Sequence, residues 1–410
     1  MKLALSLVLA AGCFGQGPLP DQPTGATVVF AAGAPPSDCS NGTPNLNYVG
    51  DVAFGPDHGY AVALGYTPLN CGGGGNGAPG GNGAPGGNVP VFQFPKVGGT
   101  PSKLAEIPTS TGVPPRLAAS GSTPWAYQAR GQLTFATATG NIYQTTTSDA
   151  AALLVDDAAA YLVVATSGNG STDLDHPNYP CCGLVNMGIG TSQMVKHALP
   201  GGAATTLPVT PACHEHSMKR CLAQNATTLF YPATATGHTA AIRSFPKTSS
   251  VAGDEKTLGV VDGDVVVTGL EADAHTVVWS VGPVIGNQPP PPASCTITAF
   301  DLDTGTMKML ASTSAFSCQD VALAGDAVYF TIVTVGDGSN GDQTMRGLGI
   351  GRVSRLAPTF ESMAVGEAGR SAGPRRIYIT DAGEIYAVDP FTIAKLDAHA
   401  LDGRSDFSLQ

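Results

Sequence analysis

Hydrophobic residues along the chain recur in short runs of strand length, each followed by a polar turn and a second run rich in aromatic residues. Residues 153–155 turn at Asp156 into residues 161–164, and residues 321–324 turn at Gly325 into residues 328–330. Similar pairs begin at Val52, Leu117, Cys221 and Leu270. No segment carries the sustained 3.6-residue periodicity of an amphipathic helix. The pattern therefore predicts an all-β protein with few helices.

A second hairpin follows each of these pairs. Four clear copies cover residues 91–95, 195–199, 297–301 and 385–389. Successive copies lie roughly 35 to 55 residues apart, close to the spacing of four-stranded propeller blades. The repeats predict a single β-propeller of four-stranded antiparallel blades. We expect seven blades, with six or eight as alternatives.

The last repeat contains only three predicted strands, over residues 376–380, 384–389 and 393–397. An apolar strand over residues 27–31 near the other end of the chain can supply the fourth. This closure removes an exposed sheet edge, which is the usual requirement of a ring of blades.

Three segments interrupt the repeats. Residues 72–88 are rich in glycine and carry the sequence GNGAPG twice, residues 284–294 contain four consecutive prolines, and residues 336–342 read GDGSNGD. None offers enough apolar side chains for a core, so we expect solvated insertions. The proline run predicts a short polyproline stretch.

The N-terminus resembles a bacterial lipoprotein export signal. Lys2 precedes an apolar run, and the small residues Ala11 and Gly12 stand directly before Cys13. The resemblance implies a signal peptide over residues 1–12, lipidation of Cys13, a tether over residues 13–26 and a propeller domain over residues 27–410. The predicted location is the bacterial cell envelope, facing away from the cytoplasm, with secretion without a lipid as the alternative. No apolar stretch is long enough to cross a bilayer.

The cysteine count fits an oxidising compartment. Setting Cys13 aside leaves eight cysteines, an even number that can form four disulfides. Sequence proximity suggests the pairs Cys39–Cys71, Cys213–Cys221 and Cys295–Cys318, with Cys181 and Cys182 joined to each other or to other partners. Many other connectivities are possible for eight cysteines.

Composition narrows the class of partner. Charged residues make up 12% of the chain, while it has 53 glycines and 32 prolines, which is typical of an extracellular β protein. The formal net charge of −11 argues against binding a nucleic-acid backbone. We expect a monomer that contacts the membrane through its lipid and binds a protein, glycan or small ligand.

The strongest candidate metal site lies between Cys213 and Cys221. His214 and His216 share one side of an extended segment, so both rings can reach one zinc or copper ion, with Met218 as a softer ligand. The alternative is a disulfide-bound loop that carries two incidental histidines. Calcium is a further possibility at the oxygen-rich segments 173–175 and 337–342. No cofactor is predicted.

At the level of the repeats, the chain resembles secreted bacterial β-propellers, including uncharacterised lipoproteins. Residues 299–305 (AFDLDTG) also resemble the blade motif of quinoprotein propellers, a family in which a vicinal disulfide packs against the quinone. That resemblance implies such a role for Cys181 and Cys182. The chain departs from the family because its terminal tryptophan position is Met309 and it has only two tryptophans.

Three functions remain compatible with the sequence. The favoured hypothesis is a non-enzymatic propeller that acts as a binding scaffold. The alternatives are a quinone- or metal-dependent oxidoreductase and a hydrolase or lyase with a site at the central channel. No c-type haem motif, GxSxG, HExxH or P-loop occurs in the sequence to favour an enzyme.

Overall fold

The structure of the chain is a computed structural model. It describes residues 26–32, 46–66, 88–108, 116–128, 132–135, 142–144, 150–165, 192–199, 202–212, 221–263, 265–283, 292–337, 343–357, 359–365, 376–389, 392–397 and 399–409. The predicted signal peptide and Cys13 lie outside these residues. No helix in this part of the chain is long and apolar enough to span a membrane.

The described strands form seven four-stranded antiparallel sheets, which are the blades of a β-propeller. Six of them contain four consecutive strands, and the remaining one combines strands from both ends of the chain. The helical content of the described residues is one short 3-10 turn, Ala252–Asp254. The all-β prediction and the four-stranded antiparallel blades are therefore confirmed.

The first blades are named in chain order, with their strands given from the central channel outward. Blade I contains β2 (Leu46–Phe54), β3 (His58–Tyr66), β4 (Asn88–Pro95) and β5 (Ser102–Pro108). Blade II contains β6 (Arg116–Ser120), β7 (Thr123–Gln128), β8 (Gln132–Phe135) and β9 (Ile142–Gln144). Blade III contains β10 (Ala150–Val155), β11 (Ala159–Ala165), β12 (Ser192–Ala198) and β13 (Ala204–Thr206).

The remaining blades follow the same order. Blade IV contains β14 (Ala223–Gln224), β15 (Thr228–Ala235), β16 (His238–Pro246) and β17 (Lys256–Val261). Blade V contains β18 (Val265–Ala272), β19 (Thr276–Pro283), β20 (Cys295–Asp301) and β21 (Thr306–Thr313). Blade VI contains β22 (Ser317–Ala324), β23 (Ala327–Asp337), β24 (Gln343–Ser354) and β25 (Phe360–Ala364). Blade VII contains β26 (Arg376–Ile379), β27 (Ile385–Val388), β28 (Thr392–Leu396) and β1 (Ala26–Ala31).

The ring closes through blade VII, where β1 pairs antiparallel with β28. This is the closure that the three-stranded last repeat predicts. Several predicted boundaries differ by one or two residues from the observed strands: β1 begins at Ala26, β4 begins at Asn88, β23 runs through Gly336 to Asp337, and the three strands of the last repeat are each displaced or shortened by one residue at one or both ends. Backbone pairing determines these ends, and hydrophobic patterning does not register it.

The core lies between neighbouring blades, so most strands are covered on both faces. All eight residues of β19, TVVWSVGP, are buried. Val52 packs with Tyr386 of blade VII, whereas the adjacent residue Ala53 packs with Leu117 of blade II. Successive side chains point to opposite faces of a strand, and here each face meets another blade. This double burial explains why the strands read as apolar runs with little alternation.

A disulfide joins Cys295, at the start of β20, to Cys318 on the innermost strand of blade VI. It is one of the pairs that sequence proximity suggests. Both cysteines are buried, so the bond ties blade V to blade VI within the core. Cys221 is also disulfide-bonded, and its predicted partner Cys213 lies outside the described residues.

Removing the bond between blades V and VI tests its contribution. The two cysteines are 23 residues apart. For a loop of that size the chain-entropy model gives about 3 kcal/mol of stabilisation. The double variant C295A/C318A should therefore lose about this much free energy of unfolding in a urea titration. C295A alone should lose at least as much, and an unchanged urea midpoint in the double variant would contradict the expected role.

The chain does not end at the last strand. Residues 399–409 return to blade VI, where Ser405 forms a parallel bridge with Ser362 of β25. The backbone N–H of Ser362 donates to the carbonyl of Arg404 at 3.0 Å, and Leu401 is fully buried. This C-terminal segment therefore binds blade VI as well as blade VII, an arrangement that the sequence repeats do not predict.

Candidate functional site: the insertion face and the inner-strand charges

Strand direction divides the connections between strands into two groups. In a four-stranded antiparallel blade, the turns after the first and third strands lie at one end, and the connections after the second and fourth strands lie at the other. We call these ends the turn face and the insertion face. The first strand of each blade runs from the insertion face to the turn face.

The strand ends that flank the predicted insertions, and those that flank the segment with Cys181 and Cys182, are all at the insertion face. Residues 67–87, 166–191, 284–294 and 338–342 each connect a second strand to a third strand. Residues 207–222 connect a fourth strand to the next first strand and contain both candidate histidines. The sequence shows the segments but not this shared location, because strand order alone decides it.

The residues of the predicted metal and disulfide sites fall mostly within these connections. Cys39, Cys71, Cys181, Cys182, Cys213, His214 and His216 lie outside the described residues. Among the residues that the structure describes, no three histidine, cysteine or acidic side chains are grouped so as to bind a metal. The zinc, copper and calcium sites stay predictions.

The turn face is closed by ion pairs between neighbouring blades. A basic side chain that follows the third strand of one blade binds an acidic side chain in the first turn of the preceding blade. Three such pairs are Lys96–Glu384 at 2.6 Å, Lys247–Asp156 at 2.8 Å and Arg355–Asp273 at 3.6 Å. Lys96 and Lys247 are buried. The repeat of one interaction at three junctions stabilises the ring on this side.

Glu384 has the most strongly bound carboxylate on the turn face. Its second oxygen accepts a hydrogen bond from Lys395 at 2.6 Å. Partial burial by itself raises the pKa of Glu384, but the hydrogen bonds from Lys395 and Lys96 outweigh it and lower the pKa to about 2. The folded protein therefore strongly favours the ionised carboxylate.

The lowered pKa of Glu384 predicts an acid-dependent stability. A carboxylate whose pKa falls on folding stabilises the protein above its unfolded pKa, and this contribution is lost as the pH drops through the interval down to the folded pKa. Glu384→Gln should cost about 1–3 kcal/mol at pH 7, and the difference from wild type should shrink between pH 4.5 and pH 2. Urea unfolding at several pH values measures it. A difference that stays constant over this range would refute the assignment.

Two buried aspartates join the inner strands of neighbouring blades. Asp51 of β2 accepts a hydrogen bond from the backbone N–H of Leu117 in blade II at 2.7 Å. Asp320 of β22 accepts one from Ile377 in blade VII at 2.9 Å. Each carboxylate also accepts the N–H of the residue that follows it. Both aspartates are therefore structural links between adjacent blades.

β6 and β26, the strands that donate these N–H groups, each begin with a buried arginine. In its own blade, this arginine stands at the strand position that an aspartate occupies in β2 and β22. Arg376 precedes Ile377 and donates to the carbonyls of Val49 and Gly50 at 3.2 Å each. Its guanidinium also lies 3.6 Å from the carboxylate of Asp51. Arg116 precedes Leu117 in the same way and is equally buried. Charges of alternating sign therefore follow one another around this part of the ring.

The sequence pattern does not single out the four charged residues of these inner strands, Asp51, Arg116, Asp320 and Arg376. Their only local signal is a charged residue directly before a buried apolar strand segment, as in Asp51-Val52 and Arg376-Ile377. Such a signal is normal for a solvated strand end. Only the arrangement of neighbouring blades shows that the charges are buried.

Comparison with solved structures supports the architecture. Oligogalacturonate lyase from Vibrio parahaemolyticus is similar, with a TM-score of 0.53 and 9% identity over 93% of this chain and 96% of that chain. Streptogramin B lyase is similar at a TM-score of 0.50, with 11% identity over 86% of this chain and 94% of that chain. The chain is a β-propeller. At this low identity the likeness concerns the fold alone.

No protein-family model and no curated protein sequence matches the chain. The bacterial lipoprotein signal and the quinoprotein-like motif therefore rest on the sequence resemblance alone.

Proposed function

We propose that the protein is a non-enzymatic binding scaffold outside the cytoplasm, tethered to a membrane by a lipid on Cys13, which binds a protein partner through its insertion face. The asymmetry between the two faces carries this proposal. In the described part of the chain most turn-face connections are short and three ion pairs link neighbouring blades there, whereas the strand ends that flank the longest connections lie at the insertion face. Binding residues commonly lie on variable loops that a rigid scaffold positions.

A protein partner fits the distribution of these connections better than a small ligand does. They leave blades I, III, V and VI, so they surround the channel instead of converging on one pocket. A stable protein interface needs about 800 Å² on each partner, which a face of several blades can supply. A glycan or a small ligand is the alternative outcome of the test.

Site-specific photo-crosslinking in intact cells tests the binding face. A benzophenone amino acid would replace Thr210, Thr236 or Ser314, which are exposed at the insertion face of different blades. The matched controls are Val97, Val251 and Leu356, which are 79%, 59% and 74% exposed at the turn face. We expect one discrete crosslinked protein from the insertion face only. Crosslinks confined to the turn face, or equal at both faces, would overturn the proposal.

The tether is tested separately by labelling cells with radioactive palmitate. Wild-type protein should incorporate the label, whereas Cys13→Ser should not and should leave the membrane fraction. An unlabelled wild-type chain would overturn the lipid anchor without affecting the crosslinking result.

A further inference from the structure

Arg116, at the start of the innermost strand of blade II, is a buried cation. Its side chain is only 4% exposed. None of its three guanidinium nitrogens forms a hydrogen bond with any residue in the described part of the chain. A buried charge without a partner is strongly destabilising, because the guanidinium has lost its hydration and gained nothing in exchange. Among the residues that the structure describes, Arg116 therefore has no counter-charge.

Arg376 shows what such a counter-charge looks like in this propeller. The two arginines occupy the same register. In each blade the residue after the arginine pairs with an alanine of the second strand, Leu117 with Ala126 and Ile377 with Ala387. Residues two apart share a face of a strand, and the packing of Ala118 and Tyr378 shows that each face meets the next blade. Arg376 is thus directed toward blade I and Arg116 toward blade III.

The inner strands that receive these arginines are built alike. In β2 the pairing register shifts between Val49 and Asp51, and in β10 it shifts in the same way between Ala150 and Ala152. Ala152 therefore stands at the position of Asp51. The carboxylate of Asp51 lies 3.6 Å from Arg376, whereas the matching position in the blade after Arg116 is an alanine. Among the described residues, the junction of blades II and III therefore has the arginine but no acidic side chain at this register position.

We propose that the junction of blades II and III binds a small anion of the size of a carboxylate group, with Arg116 as its principal ligand. The planar guanidinium presents a fork of N–H donors that matches two carboxylate oxygens. We expect a small ion such as formate or acetate, because the ion would take the place of one acidic side chain and buried side chains cover both faces of β10. This site lies within the ring and is independent of the partner proposed for the insertion face.

Thermal unfolding in sodium formate tests the site directly. Formate would replace sodium methanesulfonate at constant ionic strength, so that general screening does not change. We expect a saturable rise in the Tm of the wild-type protein, by roughly 2 °C or more, because formate binds the folded state only. Arg116→Met should abolish this rise. The matched control Arg376→Met should be less stable but should keep the response, since the partners of Arg376 belong to the protein itself.

Supplying the acid within the chain gives a second, independent measurement. Ala152→Asp should raise the Tm without formate and remove the formate response, because its carboxylate occupies the anion position. The same substitution in the Arg116→Met background should lower the Tm, since a buried carboxylate then has no cation. The measurement of Ala152→Asp in the wild-type background remains informative if Arg116→Met folds poorly.

Crystals soaked in sodium bromide locate the ion. We expect an anomalous peak within about 3.5 Å of the Arg116 guanidinium. The proposal would be overturned by a formate response that persists in Arg116→Met. It would also be overturned if formate does not change the Tm of the wild-type protein and Ala152→Asp does not change the Tm either. A bromide peak without any formate response would show a halide site and would overturn the assignment of a carboxylate-sized ligand.

Discussion

Replacing Asp51 with alanine is expected to lower the free energy of unfolding by about 3–5 kcal/mol. The substitution removes the acceptor for the backbone N–H of Leu117 and a carboxylate 3.6 Å from Arg376 at the same time. All three groups belong to the buried inner strands of three successive blades. A buried cation and a buried N–H would each lose a partner, and these costs exceed that of the lost side-chain contacts.

Urea unfolding of purified protein measures this loss, and two further variants separate its causes. Asp51→Asn keeps a carbonyl oxygen for Leu117 but removes the charge, so it should lose part of the stability that Asp51→Ala loses. The double variant D51A/R376M should lose less stability than the sum of the two single losses, because both substitutions remove the same ion pair. A loss below about 1 kcal/mol in D51A would show that water replaces the carboxylate at this junction.

The second large effect is expected at the C-terminal segment. Leu401 is fully buried and packs with Met363 of blade VI and with Ile377 of blade VII. Leu401→Ala should cost about 2–5 kcal/mol, because a cavity remains between two blades that have little freedom to collapse. Deleting residues 399–410 should cost more, since Ser362 of the outer strand also loses its hydrogen bonds to Arg404 and Phe407.

The neighbouring residue His399 provides the control for this prediction. Its side chain is 84% exposed and forms one ion pair with Asp402 at 2.8 Å. His399→Ala should therefore leave the free energy of unfolding nearly unchanged. Equal unfolding midpoints for Leu401→Ala and His399→Ala would show that the C-terminal segment does not stabilise the ring.

These predictions separate the stability of the scaffold from its proposed binding. Asp51, Leu401 and Glu384 stabilise junctions between blades, whereas the crosslinking positions Thr210 and Thr236 are exposed at the insertion face. Surface substitutions away from buried networks seldom change stability by more than about 0.5 kcal/mol. Changes at the insertion face can therefore be tested for binding without loss of the fold.

The sequence by itself determined the all-β class, the four-stranded repeat and the closure of the last blade by the N-terminal strand. These features depend on local runs such as residues 161–164 and 328–330, whose β-branched and aromatic side chains favour strands and whose turns contain Asp or Gly. The nearness of Cys295 and Cys318 in the sequence also pointed to their disulfide. Each of these signals acts over a few tens of residues.

Only the tertiary structure decided which charged residues are buried and which segments share a face. Asp51 and Arg376 are 325 residues apart in the sequence, yet their charged groups lie 3.6 Å apart because the ring brings blade VII against blade I. Arg116 has the same strand register as Arg376, but within the described residues its guanidinium forms no hydrogen bond, and the matching position in the next blade is Ala152 instead of an aspartate. The local sequence pattern indicates that a residue lies on a strand. The charges around that residue depend on the neighbouring blade, and closure of the ring determines which blade that is.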